Sequence, residues 1–294
     1  MFRRAKSVVG LDIGSSAVKA IELKQSGKVW KVAAFGSAPV APDSIVDGAI
    51  IDGATVADAI RASLGAANIK TREVAASLSG NAVIVKKITL PAMTPTELAE
   101  SIYWEAEQYI PFDIQDVNLD FQILSGGLSG KKANAVEGTS MDVLLVAAKK
   151  EKIADYTGVI TQAGRVPVIV DVDAFALQNA YESNYGFDDG VIVAILNAGA
   201  STININIMSG AQSLFTRDIS IGGNAYTEAL QRELNLTYDN ADQLKRGMAV
   251  DGVEFDQARP VLRTVTENVL LEIQKTFDFF KGTTGAHRID RIVV

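Results

Sequence analysis

Apolar and polar residues alternate at the start of the chain in a pattern that predicts a β-hairpin. Residues 8–13 and 18–23 repeat apolar side chains at the spacing of a strand with one buried face. Between these two segments, residues 14–16 read Gly-Ser-Ser, a turn made of small residues. Asp12 stands near the end of the first strand, where a carboxylate is rarely buried. We therefore expect the end of this hairpin to line a cleft.

Helical periodicity follows in several longer segments. Apolar residues four positions apart predict a helix over 56–68. Thr94 and Glu97 form a capping box with Pro95 at the first helical position, and Pro111 is expected to stop that helix. Its apolar stripe consists of Leu98, Ile102, Ala106 and Ile110. Further helices are predicted at 152–164, after 222–224, at 173–183 and at 263–280.

The order of the predicted elements divides the chain. Residues 1–84 carry strands and one helix, and residues 85–165 form a small inserted α+β module with a flexible hairpin loop at 125–140. The first pattern returns over 166–190, and residues 191–294 form a second core. The chain ends on an apolar strand without a turn or cap, so the fold looks cut short.

Composition narrows the possible chemistry. A net charge of −7 and a pI near 4.9 argue against nucleic acid as a main partner, which needs a concentrated basic face. The absence of cysteine excludes disulfides and thiol chemistry, and the single histidine, His287, makes a Ser-His-Asp triad improbable. Residues 190–216 carry no charge, but amide and hydroxyl residues interrupt them at a strand period. We therefore predict strands there and no transmembrane helix.

The opening hairpin has an echo in the second half. In residues 194–207, Asn197, Gly199 and Ser201 take the places that Asp12, Gly14 and Ser16 hold in residues 10–23. Glycine turns with hydroxyl side chains expose N–H and O–H donors, which suits phosphate, and a carboxylate at the strand end suits hydrated Mg²⁺. The alternative is a pair of plain tight hairpins with Asx and Ser turns.

At these residues the chain resembles a known family. "GLDIGSSAVKAIEL" and "LNAGASTININI" resemble the two phosphate motifs of the actin/Hsp70/FtsA-type ATPases. The segment "EAEQYIPF" and its surroundings are more specific, and they are similar to the PilM family of type IV pilus assembly proteins. The resemblance covers nearly the whole chain. It implies an actin-like ATPase fold of two RNase H-like lobes, α/β in class, with a small SHS2-type (1C) domain inserted into lobe 1.

The resemblance also implies ATP or ADP with Mg²⁺ in a cleft between the lobes. Asp12 would hold the metal through water, and Lys19 would contact the phosphates. The two turns would face each other across a gap that accepts a triphosphate, and they would contribute Gly14, Ser15, Ser16, Asn197, Gly199, Ala200, Ser201 and Thr202. Asp242 and Lys245 match the family's acid-x-x-Lys pair at the ribose and adenine. Three positions apart on a helix, they share one face, although a surface ion pair explains them as well.

The chain departs from the family in two places. Relatives carry aspartate where this chain has Asn197, and an amide keeps an acceptor but loses the charge. We therefore predict nucleotide binding with slow or no hydrolysis, so at most a weak ATPase. Asp171 and Asp173 are candidates for positioning water, although a strand end and a helix N-cap account for them without catalysis. The second departure is that the adenine loop expected after residues 289–294 is not present.

The leading functional expectation, implied by the resemblance, is a nucleotide-dependent scaffold of the pilus platform. Such a protein would be cytoplasmic, held at the inner membrane only through partners, and would bind the cytoplasmic N-terminal tail of PilN. Further pilus inner-membrane and motor proteins would also be partners. Two alternatives stay open: an FtsA-like cell-division protein, and a small-molecule kinase built on the same core.

Overall fold

The computed structural model describes residues 7–27, 29–125, 140–187 and 190–294. The chain divides into two compact units. The first comprises the chain up to Ile13 with Ala17–Ser44 and Ala49–Ala176, and the second comprises Gly14–Ser16, Ile45–Gly48 and Leu177–Val294. Most of the hairpin loop predicted at 125–140 lies outside the described residues. The division predicted at residues 84, 165 and 190 stays a prediction.

The described residues form strands and helices close to the predicted segments. The strands are β1 (Val9–Ile13), β2 (Ala17–Ser26), β3 (Val29–Pro39), β4 (Ile45–Val46), β5 (Ala49–Ile50), β6 (Glu73–Leu78), β7 (Val83–Pro91), β8 (Val117–Ser125), β9 (Ser140–Lys149), β10 (Val166–Val172), β11 (Ile192–Ala198), β12 (Ile203–Ser209), β13 (Gln212–Ile219) and β14 (Arg291–Val293). The helices are α1 (Gly53–Ala66), α2 (Pro95–Glu107), α3 (Lys150–Gln162), α4 (Asp173–Tyr185), α5 (Gly223–Leu234), α6 (Tyr238–Lys245) and α7 (Phe255–Thr284). A single 3₁₀ turn covers Ile114–Asp116.

A five-stranded sheet in the first unit carries the opening hairpin. Its strand order is β10-β6-β1-β2-β3, with β1 antiparallel to β2 and parallel to β6. Alternate residues of the hairpin are buried, as the period-two pattern predicts, and they include Val9, Leu11, Val18 and Ala20. Helix α1 packs against β2 and β3. Gly36 of β3 lies under α1, where a Cβ would stand 1.9 Å from the Ser63 carbonyl oxygen.

A smaller three-stranded sheet in the first unit has its own core. Its order is β7-β9-β8, and helix α2 buries its apolar stripe against it. The predicted capping box is confirmed, because Thr94 and Glu97 bond each other's backbone N–H groups. Helix α2 ends at Glu107, before the stop that was expected at Pro111. Ile110 is nevertheless buried in the same core, so the stripe continues past the helix end.

The second unit is built on a four-stranded sheet covered by a long helix. The strand order is β13-β12-β11-β14, and the uncharged residues 190–216 supply strands, as predicted. Helix α7 packs Phe277 and Phe280 on this sheet. The prediction of 263–280 for this helix was too short, since α7 begins at Phe255. Pro260 weakens the helical signal, because a proline beyond the first turn removes a backbone hydrogen bond and crowds the preceding turn, yet this 30-residue helix continues through it. Within the described ranges, no helix has both the length and the apolar character needed to span a bilayer.

The close packing of β3 on α1 leads to the first prediction. Gly36→Ala is expected to lower the free energy of unfolding of the first unit by about 3 kcal/mol, because overpacking forces the strand and helix apart. Gly65→Ala in α1 is the control: nothing in the described part of the chain lies within 4 Å of the added Cβ. That change is expected to be neutral or stabilising by up to about 1 kcal/mol. Urea unfolding measures both variants, and equal free energies of unfolding would contradict the contact.

Candidate functional site

The end of the opening hairpin carries an exposed ion pair. In the antiparallel register Asp12 of β1 stands opposite Lys19 of β2, and Lys19 Nζ lies 2.9 Å from Asp12 Oδ2. The two side chains are 61% and 53% exposed. Exposed pairs of this kind contribute little to stability, about 1 kcal/mol at most. Asp12, the predicted metal carboxylate, and Lys19, the predicted phosphate lysine, therefore neutralise each other. Both can exchange this partner for another at low cost.

The turns of the two echoed hairpins touch. Residues Gly14–Ser16 are part of the second unit, and the Ser15 and Ser201 hydroxyl oxygens are 2.7 Å apart. The expected approach of the turns is therefore observed, but the expected gap between them is closed at this point. Among the described residues, the backbone N–H groups of Ser15 and Ser201 donate no hydrogen bond. Hydroxyl and amide donors thus gather at one place, which is the donor set that a phosphate group requires.

The second turn is held by the start of helix α5. The N–H groups of Gly223 and Asn224 donate to the carbonyls of Gly199 and Ala200, at 2.9 and 2.7 Å. A Cβ at Gly222 would lie 2.5 Å from the Ala200 oxygen, so only glycine fits. The first N–H groups of the helix are consequently occupied by the turn. Sequence reasoning missed this contact, and the only signal was the pair of glycines at the start of the helix.

Asp242 and Lys245, predicted to reach one ligand, contact each other on α6. Lys245 Nζ lies 2.7 Å from Asp242 Oδ1, and both side chains are about four-fifths buried. Lys245 also donates to Thr227 Oγ1 at 2.8 Å and to the Gly223 carbonyl at 3.3 Å, which ties α6 to the start of α5. Burial alone would raise the pKa of Asp242, but Lys245 and Arg246 outweigh it and hold the pKa below its usual range.

Asn197, the residue that replaces the family's aspartate, lies near the end of β11. Its side chain is exposed, and its Nδ2 donates to Asn204 Oδ1 at 3.0 Å on the neighbouring strand β12. Asn204 is buried, and its own Nδ2 donates to Asp218 Oδ1 at 2.7 Å on β13. The amide at position 197 is therefore held by a second residue that the sequence did not single out.

The two candidates for positioning water lie at the junction of β10 and α4. The Asp171 carboxylate accepts from the Val172 N–H at 2.7 Å, and Asp173 is the first residue of α4. Both positions agree with the plain interpretation as a strand end and a helix start. Buried Tyr156 of α3, which the sequence analysis missed, is influenced by this region. Burial first, and then the negative charges of Asp173 and Asp12, raise the pKa of its hydroxyl.

The side chains that could ligate a metal limit how the predicted Mg²⁺ could be held. Among the described residues, no group of three or more His, Asp or Glu side chains could hold a metal ion. Asp12 therefore does not belong to an all-protein cage. The water-mediated contact of Asp12 with Mg²⁺ stays a prediction.

Known proteins resemble this chain in sequence and in fold. A model of the family described as type IV pilus assembly protein PilM matches residues 10–294. A chain of the PilM-PilN type IV pilus biogenesis complex is 27% identical, with a TM-score of 0.81, over 99% of this chain and 89% of that chain. Ethanolamine utilization protein EutJ from Carboxydothermus hydrogenoformans is 14% identical, with a TM-score of 0.54, over 94% of this chain and 73% of that one.

A third solved structure, MreB5 of Spiroplasma citri bound to ADP, is 12% identical, with a TM-score of 0.52, over 93% of this chain and 79% of that one. At these identities EutJ and MreB5 inform on the fold alone. The predicted actin-like ATPase fold is confirmed. The family match covers nearly the whole chain, as the resemblance of the "EAEQYIPF" region predicted. The chain belongs to the family of the type IV pilus assembly protein PilM.

Proposed function

We propose that this chain is a nucleotide-binding scaffold of type IV pilus assembly that captures the cytoplasmic N-terminal tail of PilN. The observation that carries the proposal is the likeness to a chain of the PilM-PilN complex, which extends over 99% of this chain at a TM-score of 0.81. A match of that extent includes the small three-stranded sheet and α2 as well as the larger sheets. The scaffold would act at the cytoplasmic face of the inner membrane, where PilN would hold it.

The PilN tail is proposed to bind in the first unit, beside the module of the three-stranded sheet. Extended peptides bind proteins by adding to a sheet edge or by filling a groove beside it. Among the described residues, strands β7 and β8 form the two edges of this small sheet, and an edge strand can pair with an added peptide. The module is thus suited to peptide capture through main-chain hydrogen bonds.

ATP or ADP is proposed to bind at the donor cluster of the two turns. Ser15 and Ser201 would exchange their mutual hydrogen bond for bonds to phosphate oxygens, and their free N–H groups would add to them. Gly14, Ser16, Gly199, Ala200 and Thr202 are proposed to line the same cluster, with Lys19 on the phosphates and Asp242 and Lys245 near the ribose and base. Mg²⁺, held through water by Asp12, would compensate phosphate charge. MreB5 of the same fold has been solved with ADP and with AMPPNP, which supports a nucleotide here.

Hydrolysis is proposed to be slow or absent. Phosphoryl transfer depends on positioning and charge compensation, and Asn197 supplies no charge. A neutral amide is also too weak a base to take a proton from water. Asp171 and Asp173 stay candidates for positioning water, with no further support.

The family match bears on the first of the two open alternatives. Membership in the PilM family favours pilus assembly over an FtsA-like role in division. Capture of a PilN tail peptide in preference to an FtsZ tail peptide would separate these two functions. For a kinase, ATP consumption with a panel of small acceptors would be the discriminating observation.

Binding of nucleotide and peptide in both orders tests the switch. If nucleotide sets the conformation that PilN reads, Mg-ATP is expected to change the Kd of the PilN peptide by about fivefold or more. By linkage the peptide must change the Kd of Mg-ATP by the same factor. Isothermal titration calorimetry measures both orders, with a scrambled peptide as the control. A peptide Kd that is the same with and without Mg-ATP would contradict the switch. No binding of the peptide would contradict the scaffold.

The glycine that supports the second turn gives a structural test of the nucleotide site. Gly222→Ala is expected to weaken Mg-ATP binding at least tenfold, because a Cβ 2.5 Å from the Ala200 oxygen must displace the turn. Gly282→Ala in α7 is the control, since nothing in the described residues lies within 4 Å of its Cβ. Calorimetry measures affinity, and circular dichroism verifies that both variants fold. Unchanged affinity in folded Gly222→Ala would place the nucleotide elsewhere.

The rate of phosphate release tests the prediction on hydrolysis. The purified protein with Mg-ATP is expected to release phosphate slowly or not at all, because position 197 lacks a carboxylate. Asp12→Ala serves as the control for a contaminating ATPase. Robust turnover by the native protein that disappears in Asp12→Ala would show that the amide does not prevent hydrolysis.

A further inference from the structure

A line of three polar side chains crosses the sheet of the second unit at the level of the second turn. Asn197 of β11 stands opposite Asn204 of β12, and Asn204 stands opposite Asp218 of β13. The side chains follow the same order, with hydrogen bonds of 3.0 Å from Asn197 to Asn204 and 2.7 Å from Asn204 to Asp218. The line leads from an exposed residue at the strand end through a residue that is 4% exposed.

We propose that Asp218 is a positioning residue that fixes the orientation of the Asn197 amide through Asn204. The proposal deepens the proposed function, since it specifies what position 197 offers to the nucleotide and its metal. It does not require Asp218 to contact either of them.

The polarity of the line follows from chemistry alone. An ionised carboxylate accepts hydrogen bonds and donates none, so Asn204 must turn its NH₂ group toward Asp218. The Asn204 carbonyl then faces Asn197, which must donate a hydrogen bond from its own NH₂ group. One N–H of Asn197 is used by Asn204, so the amide keeps its second N–H and, as its acceptor, Oδ1 for a ligand. Within the described residues, Asn197 Oδ1 takes part in no hydrogen bond.

Burial of the middle residue makes this orientation costly to reverse. A flip of buried Asn204 would set its carbonyl oxygen against the Asp218 carboxylate and its NH₂ group against that of Asn197. Each mismatch leaves a buried polar group without a partner, which costs more than the hydrogen bond contributes when it is formed. The orientation of Asn197 is therefore determined two strands away, by Asp218 on β13.

An outward carbonyl selects a donor as its partner. Phosphate oxygens are acceptors, so Asn197 Oδ1 would repel them, whereas a water bound to Mg²⁺ donates strongly. The partner that suits Asn197 Oδ1 is therefore a water of the hydrated metal and not a phosphate oxygen. This role needs no proton transfer, and it is compatible with binding without hydrolysis.

Nuclear magnetic resonance of the side-chain amides tests the positioning without any nucleotide. In Asp218→Ala the Asn204 amide is free to turn, and solvent exchange of the Asn197 NH₂ protons is expected to accelerate about fivefold to tenfold, the worth of one lost hydrogen bond. Asp218→Asn restores an acceptor and is expected to return exchange toward the native rate. Arg217→Ala, at the exposed adjacent position, is the matched control and should leave the rate unchanged. An Asn197 exchange rate that is the same in all four proteins would overturn the proposal.

The metal dependence of nucleotide binding tests the assignment of the ligand. The measured quantity is the ratio of the Kd for ATP without Mg²⁺ to the Kd with Mg²⁺. This ratio is expected to be smaller in Asp218→Ala than in the native protein and unchanged in Arg217→Ala. An unchanged ratio in Asp218→Ala, together with accelerated Asn197 exchange, would overturn the contact with a metal-bound water. If the native protein binds no ATP at all, the proposed nucleotide function fails, while the exchange rates still decide whether Asp218 orients Asn197.

Discussion

One close backbone contact organises the candidate site: the approach of Gly222 to the turn at Gly199 and Ala200. Because a Cβ at position 222 would lie 2.5 Å from the Ala200 oxygen, the start of α5 can reach the turn only without a side chain. The N–H groups of Gly223 and Asn224 then satisfy the turn's carbonyls. Ser201 is fixed where its hydroxyl meets Ser15, and the Gly223 carbonyl is fixed where it accepts from Lys245. The turn, α5 and α6 thus share one support, and a change at the glycine would reach all of them.

The charged residues predicted to contact a nucleotide are held in ion pairs with each other. Lys19 is held by Asp12, and Lys245 by Asp242. A chain with a net charge of −7 offers little overall attraction to a polyphosphate, so the affinity of the proposed nucleotide site would come from local donors and from the metal. The two pairs differ in how easily they open. The exposed Lys19 pair can exchange a carboxylate for a phosphate at low cost, whereas the Lys245 pair is largely buried and also bonds Thr227. Lys245 is therefore better suited to hold α6 against the start of α5 than to move onto a ligand.

Periodicity and turn chemistry predicted most of the elements, because those signals are local. The alternation around residues 14–16 gave the first hairpin, and the capping box at Thr94 gave the start of α2. The echo at Gly199 also predicted that the two turns would approach each other. The sequence did not reveal the contact at Gly222, the influence of Asp12 on Tyr156, or the closed contact between the hydroxyls, since each depends on residues far apart in the chain. The Asp242–Lys245 pair was found from its spacing, but the spacing could not show that the two groups bind each other.

The polar line across β11, β12 and β13 gives a reason for the amide at position 197 that does not depend on ancestry. With an ionised Asp218 at one end, buried Asn204 presents its carbonyl to position 197. A carboxylate there would set two acceptors against each other beside a residue that cannot turn away. The donor at position 197 and the acceptor at position 218 therefore belong together: a chain that keeps Asp218 and Asn204 disfavours aspartate at 197. A carboxylate introduced at position 197 alone would therefore be mismatched with the buried residue, because Asn204 presents its carbonyl there.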